Sequence, residues 1–335
     1  MARVLVTGGA GYIGSHTVRA LGAAGHEVAV LDDLSAGHRH LLPAGTSLHV
    51  VDLADEAATL RAVRAAEPDA VVHFAGAIEA GLSMTDPARF YRSNLLGSFH
   101  LAEALRHSGN PPVVYSSSAA VYGDPAGVPI PEDAPKQPTN VYGRTKLDTE
   151  GLFAAYQSAY GLRAIALRYF NAAGAAADAT LGEAHRVETH LIPLALAAAE
   201  AGSAMTLYGA DYPTRDGTCV RDYVHVEDLA SAHQLALAAL LGGAAGEPYN
   251  VGVGSGFSNR EVLAAVERVT GTRLKVAEAG RRPGDPAELV ADPARITAAL
   301  GWRPRWTDLD QIVASAAAWH ASQGPTSSAA ASKNP

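Results

Sequence analysis

Residues 4–15 read VLVTGGAGYIGS: an apolar, β-branched run, then Gly8, Gly11 and Gly14 at three-residue spacing, then a helix-forming stretch. This pattern predicts a strand, a tight turn and a helix. Small residues let such a turn close and let the backbone approach a pyrophosphate, whose charge the helix N-terminus stabilises. Taken alone, the glycines suit an ordinary turn equally well. Their place between strand and helix favours a dinucleotide cradle.

Working outward, the same rhythm repeats. The runs VAVLDD, SLHVVD, AVVHFAG, PVVYSSS and RAIALRYFN alternate with helical stretches at 15–24, 57–66, 95–107 and 145–159. Unbroken apolar strands joined by helical crossovers imply a parallel, doubly wound sheet with helices on both faces. After Asn171 the period changes to a loop, a helix near 191–201 and a strand near 205–207. The expected organisation is a nucleotide-binding domain over 1–171 and a smaller α/β substrate domain over 172–320. The segment 220–254 is expected to return a strand to the first sheet, and 321–335 to form a disordered tail.

Asp32 and Asp33 close the second strand about twenty residues after the glycines, where a carboxylate accepts from adenosine ribose hydroxyls and repels a 2′-phosphate. NAD is favoured over NADP. A helix cap or solvated loop acid is the plainer reading of either. Asp52, after the third strand, is placed to reach the adenine amino group.

With 335 residues, 26 basic against 34 acidic and a net charge of −8, the chain has no basic block for nucleic acid. Cys219 stands alone, so neither disulfides nor a Cys/His zinc cluster is expected, and the site residues include no metal ligand. No export signal is visible, and the uncharged stretch 311–332 is too broken by polar residues to span a membrane. These features point to the cytoplasm.

At the reacting end, NVYGRTKLD sets Tyr142 and Lys146 four apart, on one face of a helix. Ser118 ends the run PVVYSSS, where a parallel sheet opens onto its ligand crevice. Lowering a phenol from about 10 to neutrality requires roughly 4 kcal/mol, which an adjacent ammonium and an oxidised nicotinamide can supply. Singly, the three residues also read as a rim aromatic, a solvated lysine and a turn serine.

HFAG, SSSAAVYGD, the Tyr-x-x-x-Lys pair, RYFNAAGA, DYPTRDGTCVRDYVHVEDLA and YNVG, together with the glycine turn, resemble the extended short-chain dehydrogenase/reductase family over residues 3–306. The resemblance implies a Rossmann-type sheet and NAD-dependent inversion at C4 of UDP-glucose and UDP-galactose through a transient 4-keto sugar. UDP-N-acetylglucosamine and UDP-glucuronate are alternative substrates, and an NAD-sensing regulator is the non-catalytic alternative. By the same resemblance Tyr142 is the base, Lys146 holds the nicotinamide ribose and Ser118 bonds the substrate 4-oxygen. NAD would contact Gly8, Gly11, Tyr12, Ile13, Gly14, Asp32, Asp52, Phe74, Ala75, Gly76, Asn94 and Tyr169.

Asn171, Arg221, Arg282 and Asp285 would hold UDP, with His190, Leu191, Leu207 and Leu289 lining the substrate site. A guanidinium fork suits a diphosphate. Three departures stand out. Ile78 replaces a lysine that some members place near the nicotinamide, His190 replaces an asparagine, and Leu289 is smaller than the tyrosine of strict glucose/galactose enzymes. Ala119 and Ala120 replace acids that sister dehydratases and decarboxylases need. A homodimer through helices near 94–107 and 146–159 is also implied.

Overall fold

The computed structural model describes residues 1–282 and 284–323. Seven strands form one sheet in the order Pro248–Val251, Ala164–Tyr169, Val113–Ser118, Ala70–His73, Arg3–Thr7, Glu27–Asp32, Ser47–Val50. All six pairings are parallel. Alternation along the central strands buries both faces. Val4, Val6, Val30, Val72 and Val114 point into one core with the helices Tyr12–Ala23 and Val226–Leu241. Leu5, Leu31, Val71 and Val113 point into the other, with Glu56–Ala66, Gly97–Arg106 and Val141–Tyr160. Each such side chain contributes about 1.5–3 kcal/mol when fully buried.

Strand order reverses between Arg3–Thr7 and Ala70–His73, so the carboxyl ends of those strands open the crevice where a ligand binds. Gly8, Phe74 and Ser118 all lie along that edge. The strand Pro248–Val251, far along the chain, closes the opposite end of the sheet by pairing with Ala166 to Tyr169.

A second layered unit stands over the edge. Its helices Leu191–Ala201, Asn259–Thr270 and Leu309–Ser322 share a core of Ile192, Leu196, Val262, Val266, Ile312 and Val313. Two strands, Ala204–Tyr208 and Lys275–Ala279, pair in parallel beside it. The Ser258 hydroxyl and the Glu261 carboxylate satisfy each other's backbone amides at the start of Asn259–Thr270, and Gly271 in left-handed conformation ends it.

Two boundaries differ from the sequence reading. The helix expected from 145 begins at Val141, because the Asn140 side chain accepts from the Gly143 amide at 2.8 Å and caps it there. The helix expected over 95–107 is preceded by a wider turn, Tyr91–Leu96, that leads directly into Gly97–Arg106. The last helix runs through Ser322, and the rest of the tail assignment, 324–335, lies outside the described residues. Among the described residues no helix is long and apolar enough to cross a membrane.

Candidate active site

The glycine turn is built by close approach. A Cβ on Gly14 would lie 2.2 Å from the Gly8 carbonyl oxygen, so the first helix can start this near the turn only with glycine at that position. Gly11 caps the helix without any side-chain acceptor, and a Cβ there would meet only the Gly8 oxygen, at 3.4 Å. Ile13 lies half-buried in the first helical turn. The amides of that turn therefore face an open side where an anion can approach.

Asp32 is 6% exposed, and its carboxylate accepts from the Ala10 amide and the Leu34 amide, both at 2.9 Å. Burial raises its pKa. Asp33 turns outward and accepts from the Ser35 amide and hydroxyl. The structure thus separates two acids that the sequence left equivalent. Asp52 is exposed and paired with Arg92 at 3.0 Å. The Tyr12 hydroxyl donates to the Gly174 carbonyl at 2.5 Å, tying the first helix to the second unit.

Phe74 and Ala75 donate their amides to the Thr7 carbonyl, which holds them beside Gly8. Asn94 is buried and its amide group is fully engaged. It accepts from the Ala77 amide at 2.7 Å and donates to the Ala77 carbonyl and the Thr145 hydroxyl. Asn94 therefore braces the turn around Gly76. An uncapped helix start, an open glycine and a buried carboxylate at one strand edge form a donor and acceptor set that fits a dinucleotide.

The reacting end is held by the helix Val141–Tyr160. A Cβ on Gly143 would lie 2.4 Å from the Ala120 carbonyl oxygen, so glycine lets this helix press against the loop that follows Ser118. The Tyr142 amide donates to the Ser83 hydroxyl at 3.1 Å, an anchor the sequence reading missed. Lys146 is 3% exposed, donates to the Ser116 carbonyl at 2.8 Å and lies 5.8 Å from the Tyr142 ring centroid. The Tyr169 hydroxyl bonds to Ser116 in the same layer.

Burial pushes the Lys146 ammonium down to about 8, with Glu150, one turn along the helix, working the other way. Burial also pushes the Tyr142 phenol up, and its hydrogen bond with Ser118 offsets part of this. The sequence reading makes the phenol acidic only with both the ammonium and an oxidised nicotinamide beside it. In the protein alone the cost of burying a phenolate wins, so a further positive charge is needed to bring it down.

A lysine whose pKa is lowered by folding destabilises the fold while it is charged, and the penalty disappears as pH rises from about 8 to the unfolded value of 10.5. Lys146→Met is therefore expected to match or exceed the parent in urea-unfolding free energy at pH 7. The difference should close between pH 8 and 10.5. A variant clearly less stable than the parent at pH 7 would contradict this.

A cavity within the second unit, walled on one side by the segment 171–174, brings together Asn171, His190, Leu191, Leu207, Arg221, Arg282 and Asp285. Leu289 pairs beside Arg221 in a short parallel bridge next to it. Ser118 and Tyr142 are not part of its lining, so the cavity and the reacting groups are separate regions of this structure. Arg282 stacks over the Tyr208 ring with 4.1 Å to the centroid. Tyr208 and Cys219, which line the same cavity, had no signal in the sequence.

Two further clusters escaped the sequence reading. Arg168 and Glu150 form a buried pair beneath Ser117, with the Ser117 hydroxyl donating to Glu150. Glu150 falls four residues after Lys146, so helical spacing alone could have shown it. The second cluster gathers Glu183, His185, Glu188 and His190 in one loop. Paired carboxylates outweigh burial there and raise His185 to about 9 and His190 to about 10.

Fold and site define a class: a short-chain dehydrogenase-type enzyme, with a dinucleotide cradle at the switch point and a Tyr/Lys pair facing a serine. More narrowly, the chain belongs to the NAD dependent epimerase/dehydratase family, which it matches over residues 4–252. It is 47% identical over 321 residues to a UDP-glucose 4-epimerase of Azospirillum brasilense, covering 96% of this chain and 92% of that one. The crystal structure of UDP-glucose 4-epimerase from Brucella ovis in complex with NAD superimposes with a TM-score of 0.90 at 45% identity, covering 94% and 97% of the two chains. That from Bifidobacterium longum in complex with NAD+ and UDP gives a TM-score of 0.90 at 33% identity, covering 96% and 99%.

Proposed function

We propose that this protein is a NAD-dependent UDP-glucose 4-epimerase that interconverts UDP-glucose and UDP-galactose. The observation that carries the reading is the convergence of Tyr142, Lys146 and Ser118 at the strand edge that also holds the glycine turn. The glycine turn and Lys146 would hold NAD, which would supply a reversible hydride acceptor for the sugar C4.

Tyr142 takes the proton of the sugar 4-hydroxyl, and the Ser118 hydroxyl orients that oxygen. Lys146 holds positive charge beside the phenolate. Arg221 and Arg282 grip the diphosphate while Asn171 and Asp285 hold the uridine end, leaving the sugar free to present either face. His190, Leu191 and Leu207 wall that cavity. Gly8, Gly11, Tyr12, Ile13, Gly14, Asp32, Asp52, Phe74, Ala75, Gly76, Asn94 and Tyr169 are assigned to the cofactor's side. In this assignment residues 1–171 with 220–254 form the cofactor domain and 172–320 the substrate domain. The protein acts in the cytoplasm as a homodimer, the exposed Tyr91 and Leu96 just before the helix Gly97–Arg106 and Phe99 on it supplying apolar surface.

The test is to incubate purified protein with UDP-galactose, without added NAD, and measure UDP-glucose. Conversion is expected, with the dinucleotide retained through turnover. No conversion alongside clean activity on UDP-glucuronate would overturn the substrate assignment, and no turnover of any UDP-sugar would favour a sensing role. Leu289, a smaller side chain than the tyrosine of strict glucose/galactose enzymes, favours acceptance of UDP-N-acetylglucosamine as a second substrate.

A further inference from the structure

The segment 183–190 carries two glutamates and two histidines in the order Glu-x-His-x-x-Glu-x-His. One donor atom from each side chain converges, all four lying within 4.8 Å of one another. His185 Nδ1 stands 3.1 Å from Glu183 and 3.5 Å from Glu188. His190 Nδ1 stands 2.7 Å from the same Glu183 oxygen and 2.9 Å from Glu188. Ligands about 2.0–2.1 Å from a tetrahedral zinc ion are separated by about 3.4 Å; the two His185 spacings lie near that edge, while the two His190 spacings are at hydrogen-bond length and would open by about 0.5–0.7 Å to admit the ion.

The loop that carries the four groups has no regular secondary structure of its own, yet it is pinned on several sides. Trp319 donates to the Glu183 carbonyl at 2.9 Å, the His38 ring bonds to the Ala184 carbonyl at 2.7 Å, and Arg186 donates to the Leu34 carbonyl at 3.2 Å. The Thr189 and His190 amides both donate to Glu188 at 2.7 Å and fix its carboxylate. Outer contacts of this kind orient metal ligands.

We propose that Glu183, His185, Glu188 and His190 form a structural site for one divalent transition-metal ion, zinc by ligand type. Four protein ligands leave no open position, so the ion is a staple and takes no part in the chemistry. Glu183 and His190 also line the substrate cavity, and Arg186 reaches the strand edge next to Asp32. The ion would thus fix one wall of the cavity against the cofactor edge. The inference stands on this loop's own geometry and does not depend on the sugar assigned above.

The experiment uses untagged full-length protein treated with chelator, then titrated with Zn²⁺ by calorimetry and with Co²⁺ by visible absorption. One equivalent per chain and a tetrahedral cobalt spectrum are expected, together with a zinc-dependent rise in thermal midpoint. Glu188→Gln and His185→Ala should each weaken zinc binding by roughly 100-fold or more, since even outer-shell changes cost 10–100-fold. Circular dichroism checks that both variants fold, and Cys219→Ser should bind as the parent does. Sub-stoichiometric or millimolar binding by the parent would overturn the proposal and leave a purely ionic cluster. So would binding that persists in both loop variants or vanishes in Cys219→Ser. UDP-galactose turnover, measured separately, reports on the function proposal alone.

Discussion

Tyr142→Phe is expected to lower UDP-galactose turnover by about 10²–10⁴-fold, the usual contribution of a positioned general base, while the dinucleotide stays bound. The ring itself packs where the Val141–Tyr160 helix meets the loop after Ser118, and phenylalanine keeps that packing. What it removes is the hydroxyl beside Ser118, on a ring that lies 5.8 Å from the Lys146 nitrogen. Because burial holds the phenol above its ordinary range in the protein alone, the parent's rate should rise with pH until the phenol ionises. The variant's residual rate should be flat across the same range. Steady-state assays from pH 6 to 9, with bound nucleotide quantified after denaturation, check both points. Near-normal turnover, or a residual rate with the parent's pH profile, would show that another group takes the proton.

That prediction rests on residues legible before any coordinates. The glycine turn and the Tyr142/Lys146 pair are local patterns, set by the geometry of one turn and one helix period, so a linear sequence displays them. The alternation that buries Val4 and Val6 on one face and Leu5 on the other is equally local, and it makes the parallel sheet readable. Other features depend on contacts distant in sequence. Nothing near Asp32 and Asp33 says which one folds inward, because the amide that selects Asp32 belongs to Ala10, 22 residues earlier. Asn94 braces the turn around Gly76 through Ala77 and Thr145, 17 and 51 residues away, partners that its own neighbourhood does not announce. The metal-ligand spacing at 183–190 is short-range but mixes glutamate with histidine, and a search for Cys/His patterns passes over it.

The buried polar network under Ser118 is the clearest case of structure that sequence hides, and it carries the second large prediction. Arg168 is 3% exposed and binds Glu150 through two parallel bonds, 2.8 Å from Nε and 2.5 Å from Nη2. Its other nitrogen donates to the Tyr122 hydroxyl at 2.9 Å and the Glu132 carbonyl at 3.1 Å. Tyr122 donates onward to Asn250, which is 128 residues away on the last strand of the sheet. One guanidinium therefore ties the helix Val141–Tyr160, the loop after Ser118 and two sheet strands together.

Arg168→Met should cost about 3–5 kcal/mol in urea-unfolding free energy, because it leaves the Glu150 carboxylate buried without its partner. Replacing both residues, as Arg168→Met with Glu150→Leu, should recover much of that loss, since the desolvation cost of both charges then disappears. The double variant should nevertheless remain slow on UDP-galactose. Lys146 loses the nearby carboxylate that favours its charge, and Ser117, next to Ser118, loses its acceptor. A stability loss below about 1 kcal/mol in the single variant would mean water already reaches the pair and weakens it. Full turnover in a stable double variant would show that the network serves folding alone. Recovered stability with lost turnover would place the charge pair among the groups that position the base.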